Sequence, residues 1–490
     1  MKIKRIGIVV ILLLTIVMGN CGTAVAEDNV PYETYNYDYW EDVYYTPAAY
    51  VPDKSYSGIE IGSGTWNNPQ DFCVAEDGRI YVADTGNNRI VVLDSLLQFV
   101  KTIDGFINEG KQDTFYSPIG LSVSAKNELY IADTNNKRVV VLDAQGKLVK
   151  ILSNPTADIL GEDFEFNPLK ICVDYADRVY VVSKNMFQGI MAFDTQGDFT
   201  GFTGTINVTV TLYDKIWRKL STKAQRARQS QFIPTEFTGL DIDPDGFLYA
   251  TNIDAAGKQS VRRLNPKGQD VIKKNSTKTP ISGDFYFRIV GDYSGASRIV
   301  DIVYRDNGIY SVIDTTRGRI FTYDHEGNLL YIFGGRGSQR GTFKNPVAIE
   351  EIGDKVYVLD SGRNEIMSFK ESEYGRLIND AVALRYEGDE KSAVELWKQV
   401  LELDSNFELA YVGIGKAYLS SGENKEAMKY LKLGMNREYY SIAFKRYRNE
   451  ILKDNLGYVL TGLAALLMVL WITKIVMKVQ KTKKGKVKDE

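Results

Sequence analysis

"YVADTGNNRIVVLD", residues 81–94, returns as "YIADTNNKRVVVLD" at 130–143, 49 positions further on. A fixed period in that range marks a repeat architecture. Six segments share the grammar, starting at Asn68, Ser117, Asn167, Thr235, Ser297 and Asn345. Each has an apolar run, a turn, an aromatic-led run, a second turn and a third run. The turns "EDG", "DPDG", "DHEG" and "AQG" carry Asp and Asn, which bond locally to the backbone, and Gly, which accepts positive φ. The runs are β-branched and aromatic. A fourth run is expected to follow each unit, as in "QFVKTI", "KLVKIL" and "LLYIFGG".

Four short strands per ~45 residues, repeated radially, describe a β-propeller blade. The runs are too uniformly apolar for a sheet with one wet face, so neighbouring blades must cover both faces. The expected fold is mostly β: a six-bladed propeller of four-stranded antiparallel blades. Closure is legible too. "GTWNNP" before the first repeat and "GTFKNP" before the sixth share one pattern, and the sixth repeat lacks a fourth run after "IMSFK". A spare N-terminal strand, expected around Ser57 to Gly62, should complete the last blade and leave no open edge.

The stretch 81–94 resembles the NHL repeat, whose pattern runs aromatic-V-A-D-T-x-N-x-R-I before an apolar run. Asp84, Thr85, Asn88, Arg89 and Ile90 match it, and Asp133, Thr134, Asn136, Arg138 and Val139 nearly do. Asp314, Thr315, Arg319 and Ile320 match in the fifth repeat, and Asp360 and Asn364 in the sixth. The third repeat lacks the Asp and the fourth replaces it with Asn252. The resemblance covers about Ser57 to Ser372 and implies fold more than function, because this fold hosts lyases, lactonases and binding modules. Asp84, Asp133, Asp314 and Asp360, with Arg89, Arg138 and Arg319, are expected to be repeat-defining structural residues. Each Asp ends a strand, where a carboxylate can take backbone N–H groups in an Asx-turn. The rival reading is a ring of carboxylates around a channel cation.

Lyases of the NHL type use His-bound zinc. This chain has one His, His325, in the turn "YDHEGN", and one His makes no His-rich metal site. No nucleophile motif is found. Lactonase-like propellers need only oxygen ligands for calcium, so a Ca-dependent hydrolase stays as the alternative. The leading expectation is no enzyme, no catalytic residue, no resident metal and no cofactor.

The ends set the address. "MKIKR", an apolar run from Ile6 to Gly19 and small residues at Ala24 and Ala26 read as a signal peptide over 1–26. Lipidation of Cys21 is the runner-up, with Asn20 standing where a small residue is expected. "LGYVLTGLAALLMVLWIT", Leu456 to Thr473, carries no charge and would make ~27 Å of helix. A Lys-rich tail follows, cytoplasmic by the positive-inside rule. The two signals agree on a body outside, one span over 455–477 and a tail over 478–490, and suggest a bacterial cell surface. The net charge of −3 carries no nucleic-acid footprint. Cys73 and Cys172 occupy matching slots, "DFCV" and "KICV", and read as small buried apolar residues.

Three regions stand apart from the blade grammar: one before the propeller of 56–372, one inserted within it and one after it. Residues 27–55 form a Tyr-rich arm, read as extended and packed on the ring, or as a sugar-facing strip. The insert over 205–234 spaces Leu212, Ile216, Leu220 and Ala224 every four residues among Lys and Arg. That is a basic amphipathic helix, with Trp217, Arg218, Lys219, Arg226 and Arg228 as binding candidates. Over 373–453 the grammar turns helical. Ala383/Ala417, Gly388/Gly422, Ala393/Ala427 and Leu401/Met435 are each 34 apart, which resembles the tetratricopeptide repeat. Two interaction scaffolds beside a span imply binding to a protein partner or cell-envelope polymer. A link to solute-uptake systems follows by analogy with similar propeller–stalk–anchor chains.

Overall fold

The computed structural model describes residues 30–161, 164–205, 236–254, 260–272, 282–284 and 293–486. The expected signal peptide and basic insert lie outside them, as do Trp217, Arg218, Lys219, Arg226 and Arg228.

Each repeat pairs its runs in order as an antiparallel meander. Blade 1 is Asp71–Val74, Ile80–Asp84, Arg89–Leu93 and Phe99–Ile103. Blade 2 is Pro118–Val123, Leu129–Asp133, Arg138–Leu142 and Leu148–Leu152. Blade 3 is Pro168–Val173, Val179–Ser183, Ile190–Phe193 and Phe199–Thr203. Blade 4 shows three strands among the described residues, Phe237–Ile242, Leu248–Asn252 and Val261–Leu264, and one bridge from Leu264 to Asp270. Blade 5 is Ile299–Tyr304, Tyr310–Asp314, Arg319–Tyr323 and Leu329–Phe333. Blade 6 is Pro346–Ile352, Lys355–Asp360 and Glu365–Glu371, completed by the early strand Tyr50–Ser57. The first strand of every blade touches the first strands of both neighbours, and blade 6 meets blade 1, so the ring is closed.

The closing strand pairs with the last blade as expected, Ile366 opposite Tyr56 and Glu371 opposite Tyr50. It lies earlier than Ser57 to Gly62. Gly58 is pressed against the Gly64 carbonyl and the Trp66 ring, and Gly62 takes φ +83°, so the chain turns there. Tyr50 supplies the anchor instead, buried and stacked 4.9 Å from Phe333.

Between blades the apolar faces interlock. Cys73, Tyr81 and Ile90 of blade 1 meet Leu121, Ile131 and Val140 of blade 2 in one core. Burying each large side chain contributes roughly 1.5–3 kcal/mol. Hydroxyls fasten the joints: Thr85 Oγ1 donates to the Pro118 carbonyl at 2.6 Å, and Thr134 Oγ1 to Pro168 at 2.7 Å.

The Tyr-rich arm is not one extended strip. A hairpin, Tyr35–Tyr37 with Val43–Tyr45, precedes the closing strand. Tyr35 is fully buried, and its hydroxyl and that of Tyr37 both reach Asp284.

The chain divides into two compact units after Glu387. The first ends with helix α1, Glu373–Tyr386, capped by Ser372. Arg385 of α1 pairs with Glu326, and Asn379 accepts from the Tyr331 hydroxyl at 2.8 Å. This helix belongs with the propeller, although the sequence groups it with the helical region. The second unit holds α2 (Glu390–Leu403), α3 (Glu408–Ser420), α4 (Asn424–Leu433) and α5 (Arg437–Lys486). Gly388 and Gly422, which are 34 apart, both take positive φ, near +89° and +84°. Gly413 lets the Trp397 indole lie flat on α3, where a Cβ would fall 2.5 Å from Nε1. Helix α5 is long and apolar enough to cross a membrane.

Candidate functional site

The NHL aspartates tie the rim of the ring. Asp84 Oδ1 accepts the Asn67 N–H at 2.7 Å, and its Oδ2 accepts Arg89 Nε at 2.7 Å and Asn87 Nδ2 at 2.8 Å. Asp133 repeats the arrangement with Tyr116, Arg138 and Asn136. Asp314 and Asp360 take N–H groups two residues on, from Thr316 and Gly362, as an Asx-turn would. All four carboxylates are fully buried. Arg319 departs from the pattern: it donates to Glu33 and stacks 4.6 Å over Tyr35, and Arg317 approaches Asp314 at 3.6 Å in its place.

The chemistry-bearing residues converge on the central channel, lined by the innermost strands. In each repeat the slot two residues after the position that opens the inner strand (Pro69, Pro118, Pro168, Phe237, Ile299 and Pro346) faces inward. Blades 3, 5 and 6 show it directly, where Lys170, Asp301 and Ala348 follow a bulge opposite Val182, Ile313 and Leu359. Read around the ring the slot is Asp71, Gly120, Lys170, Gly239, Asp301, Ala348. Charged side chains occupy the odd blades and small residues the even ones. The small residues are required. A Cβ on Gly239 would stand 2.7 Å from Asp301 Cα, and one on Gly120 would meet the Leu169 carbonyl.

Lys170 reaches across the axis. Its Nζ stands 2.6 Å from Asp71 Oδ1 and 3.0 Å from Asp301 Oδ1. The other carboxylate oxygens take backbone N–H groups of the next blade, Asp71 from Leu121 at 2.9 Å and Asp301 from Ile349 at 3.1 Å. These N–H groups belong to strand edges that no neighbouring strand pairs. The three charged residues are buried. Two residues past Gly239 and Ala348, the inner strands of blades 4 and 6 place Asp241 and Glu350 beside this bridge, on a small cavity that also touches Leu121 and Ile302. Asp241 accepts N–H groups from Ile242 and Tyr304.

One ammonium thus serves several carboxyls. Burial, with Asp71 close by, pushes the Asp301 carboxyl up to about 6 against the pull of Lys170. Burial and then the Asp301 charge lift Asp241 to about 7, against two N–H bonds that favour the anion. Glu350 is pushed well above the ordinary range by burial and by Asp241, Asp301 and Asp71. Burial pulls Lys170 down, but Asp301 and Asp71 outweigh it and hold the ammonium charged. Burial also raises the thiols of Cys73 and Cys172, two free cysteines, well above the usual range.

His325 lies elsewhere, in the outer hairpin of blade 5, with its ring 5.2 Å from Tyr386 of α1. Burial lowers its pKa. Zinc held by several histidines does not fit this chain. Calcium does not fit the channel centre either, because the Asp71 and Asp301 oxygens there are engaged by Lys170. No group of three His, Cys, Asp or Glu spaced to hold a metal occurs among the described residues.

The sequence reading missed this bridge. The signal was present: the second residue past Pro69, Pro118, Pro168, Phe237, Ile299 and Pro346 reads Asp, Gly, Lys, Gly, Asp, Ala across the six repeats.

The NHL repeat family model matches residues 67–93 and 115–142. No curated protein matches the chain. Solved structures do. A catalytically inactive virginiamycin B lyase from Staphylococcus aureus, with quinupristin, is 12% identical over 62% of this chain and 80% of its own, with a TM-score of 0.39. A putative gluconolactonase is 10% identical over 67% and 94%, with a TM-score of 0.40. A structural-genomics protein of unknown function from Bacteroides thetaiotaomicron is 11% identical over 63% and 71%, with a TM-score of 0.41. The chain is thus similar to these proteins at 10–12% identity, while its own strand order and closed ring carry the fold.

Proposed function

We propose that the chain is a single-pass membrane protein whose propeller is an extracytoplasmic binding platform rather than a site of turnover. The observation that carries this reading is the Lys170 bridge. A side chain from blade 3 is fastened to carboxylates of blades 1 and 5, so the channel centre holds a fixed internal ion network. In a calcium-dependent hydrolase those oxygens would have to be open to a cation. The remaining surface is a rigid ring with blade-to-blade ties, suited to docking a protein or an envelope polymer.

The C-terminal helices support the same reading. The 34-residue spacing, the paired turn glycines and the small residues at helix contacts fit a tetratricopeptide-like scaffold of two short units. The uncharged run within α5 would serve as the anchor, with the propeller outside and the Lys-rich tail in the cytoplasm. A place beside a solute-uptake system is the working context.

Two measurements test the reading. Photo-crosslinking of the full-length protein in its native membrane, followed by identification of what is attached, should recover a partner protein or polymer. Millimolar calcium should leave the melting temperature within about 1 °C of that in chelator. A rise of several degrees with calcium, together with calcium-dependent lactone hydrolysis lost on Asp241→Asn, would replace the binding reading with the hydrolase.

A further inference from the structure

Helix α5 runs unbroken from Arg437 to Lys486, so the nineteen residues from Arg437 to Asn455 belong to the same helix and precede the uncharged run. Its first turns are held on one side only. Ala443 is fully buried, Arg446 donates to the Leu419 carbonyl at 3.2 Å, and Glu450 takes the Asn424 amide. At ~100° per residue these three positions fall within one arc of about 60°.

The opposite face carries a different pattern. Phe444, Ile451 and Leu452 lie there, 47%, 45% and 56% exposed. Lys445 and Arg448 project among them, both exposed. Leu456 and Val459 continue the same face into the uncharged run, so the apolar stripe and the span are one surface. Between Phe444 and Leu456 the acids are Glu450 and Asp454, and at ~100° per residue both fall towards the packed side. The open face is therefore apolar and cationic over ~18 Å of helix.

We infer that this juxtamembrane face, from Phe444 to Leu456, docks on the anionic headgroups of the bilayer that receives the span. The inference rests on the membrane reading above and extends it. A soluble acidic partner would meet the two cations, but nothing in it requires the apolar stripe to run on into the span. A bilayer surface meets both features: acyl chains cover Phe444, Ile451 and Leu452, while Lys445 and Arg448 reach phosphates. Because α5 is unbroken, it would enter the bilayer tilted, which lowers its first turns into the headgroup layer.

The test uses the full-length chain in single-copy nanodiscs of phosphatidylcholine alone or with 30% phosphatidylglycerol, read by hydrogen exchange over 443–456. Retention in the discs after carbonate wash is scored first. Release by carbonate overturns the membrane reading and this inference with it. For retained protein, exchange should be at least about fivefold slower with phosphatidylglycerol than without. Lys445→Gln with Arg448→Gln should erase that difference, while Phe444→Ser with Leu452→Ser should speed exchange in both lipids. Equal exchange in the two lipids, or protection that survives the double Gln variant, overturns the inference while leaving the span intact. Protection that needs two copies per disc assigns the face to a contact between chains and overturns it too.

Discussion

Lys170→Met removes the ammonium from the channel and keeps most of the stem. Asp71 and Asp301, which shared Nζ at 2.6 and 3.0 Å, are left facing one another without it. At an effective dielectric near 20, each attraction lost is about 6 kcal/mol in gross terms. Most of that was spent on taking the three groups out of water, so the net cost of breaking a buried pair is about 3–5 kcal/mol. For a unit of this size the shift in Tm is roughly 2 °C per kcal/mol, or about 6–10 °C. The loss must depend on pH. A carboxyl freed of its cation can escape the repulsion by protonating, which costs about 1.4 kcal/mol for each pH unit above its pKa. The destabilisation should therefore be largest at pH 7.5 and smaller by about 1–3 kcal/mol at pH 5.5. Adding Asp71→Asn and Asp301→Asn to Lys170→Met should recover most of the loss, because neutral groups of the same shape leave no charge unpaired. Near-UV circular dichroism melts of the full chain in nanodiscs read all of this. A shift under about 2 °C at pH 7.5, or an equal loss at both pH values, would show that the bridge does not hold the ring.

Other outcomes follow from the same geometry. Asp241, lifted to about 7, contributes stability that is complete below its ordinary pKa of ~3.9 and is lost as pH rises through about 7, so Asp241→Asn should flatten the melting profile between pH 5 and 8. The full linkage term is about 4 kcal/mol; with water reaching the channel, a gain of roughly 1–3 kcal/mol for the Asn variant at pH 8 is expected, and a loss there refutes the assignment. Asp84→Ala strands Arg89, Asn87 and the Asn67 N–H at once and should cost about 3 kcal/mol in denaturant titration. Arg319→Ala, whose partner Glu33 is half exposed, should cost less, about 1–2 kcal/mol; the reverse ranking would contradict the hydrogen bonds described here. Tyr50→Ala empties the space against Phe333 and unlatches the closing strand, so blade 6 amides such as Phe369 should lose their exchange protection before those of blade 2.

What the sequence made legible and what it hid divide along one physical line. Blade count, strand order and the joining of Tyr50–Ser57 to the last blade depend on local rules that every repeat restates, so six copies of "run, turn, run" sufficed. The offset of the closing strand came from two glycines whose turn depends on Trp66 and Gly64, contacts that no periodicity encodes. The partner swap in blade 5 was hidden for the same reason. "TTRGR" offers two arginines, and only the hairpin built from Tyr35 to Tyr45 decides that Arg319 leaves Asp314 for Glu33. The channel bridge is the extreme case. Asp71, Lys170 and Asp301 are 99 and 131 residues apart and meet only because the ring closes. Repeats must agree wherever they pack against the next copy, so a shared slot carries information about the fold. The inward slots pack against one another around the channel, where a charge must meet its opposite and a long side chain must meet a small one, so there the six repeats differ: Asp, Gly, Lys, Gly, Asp, Ala. The positions at which the aligned repeats disagree therefore carry the bridge in the sequence itself.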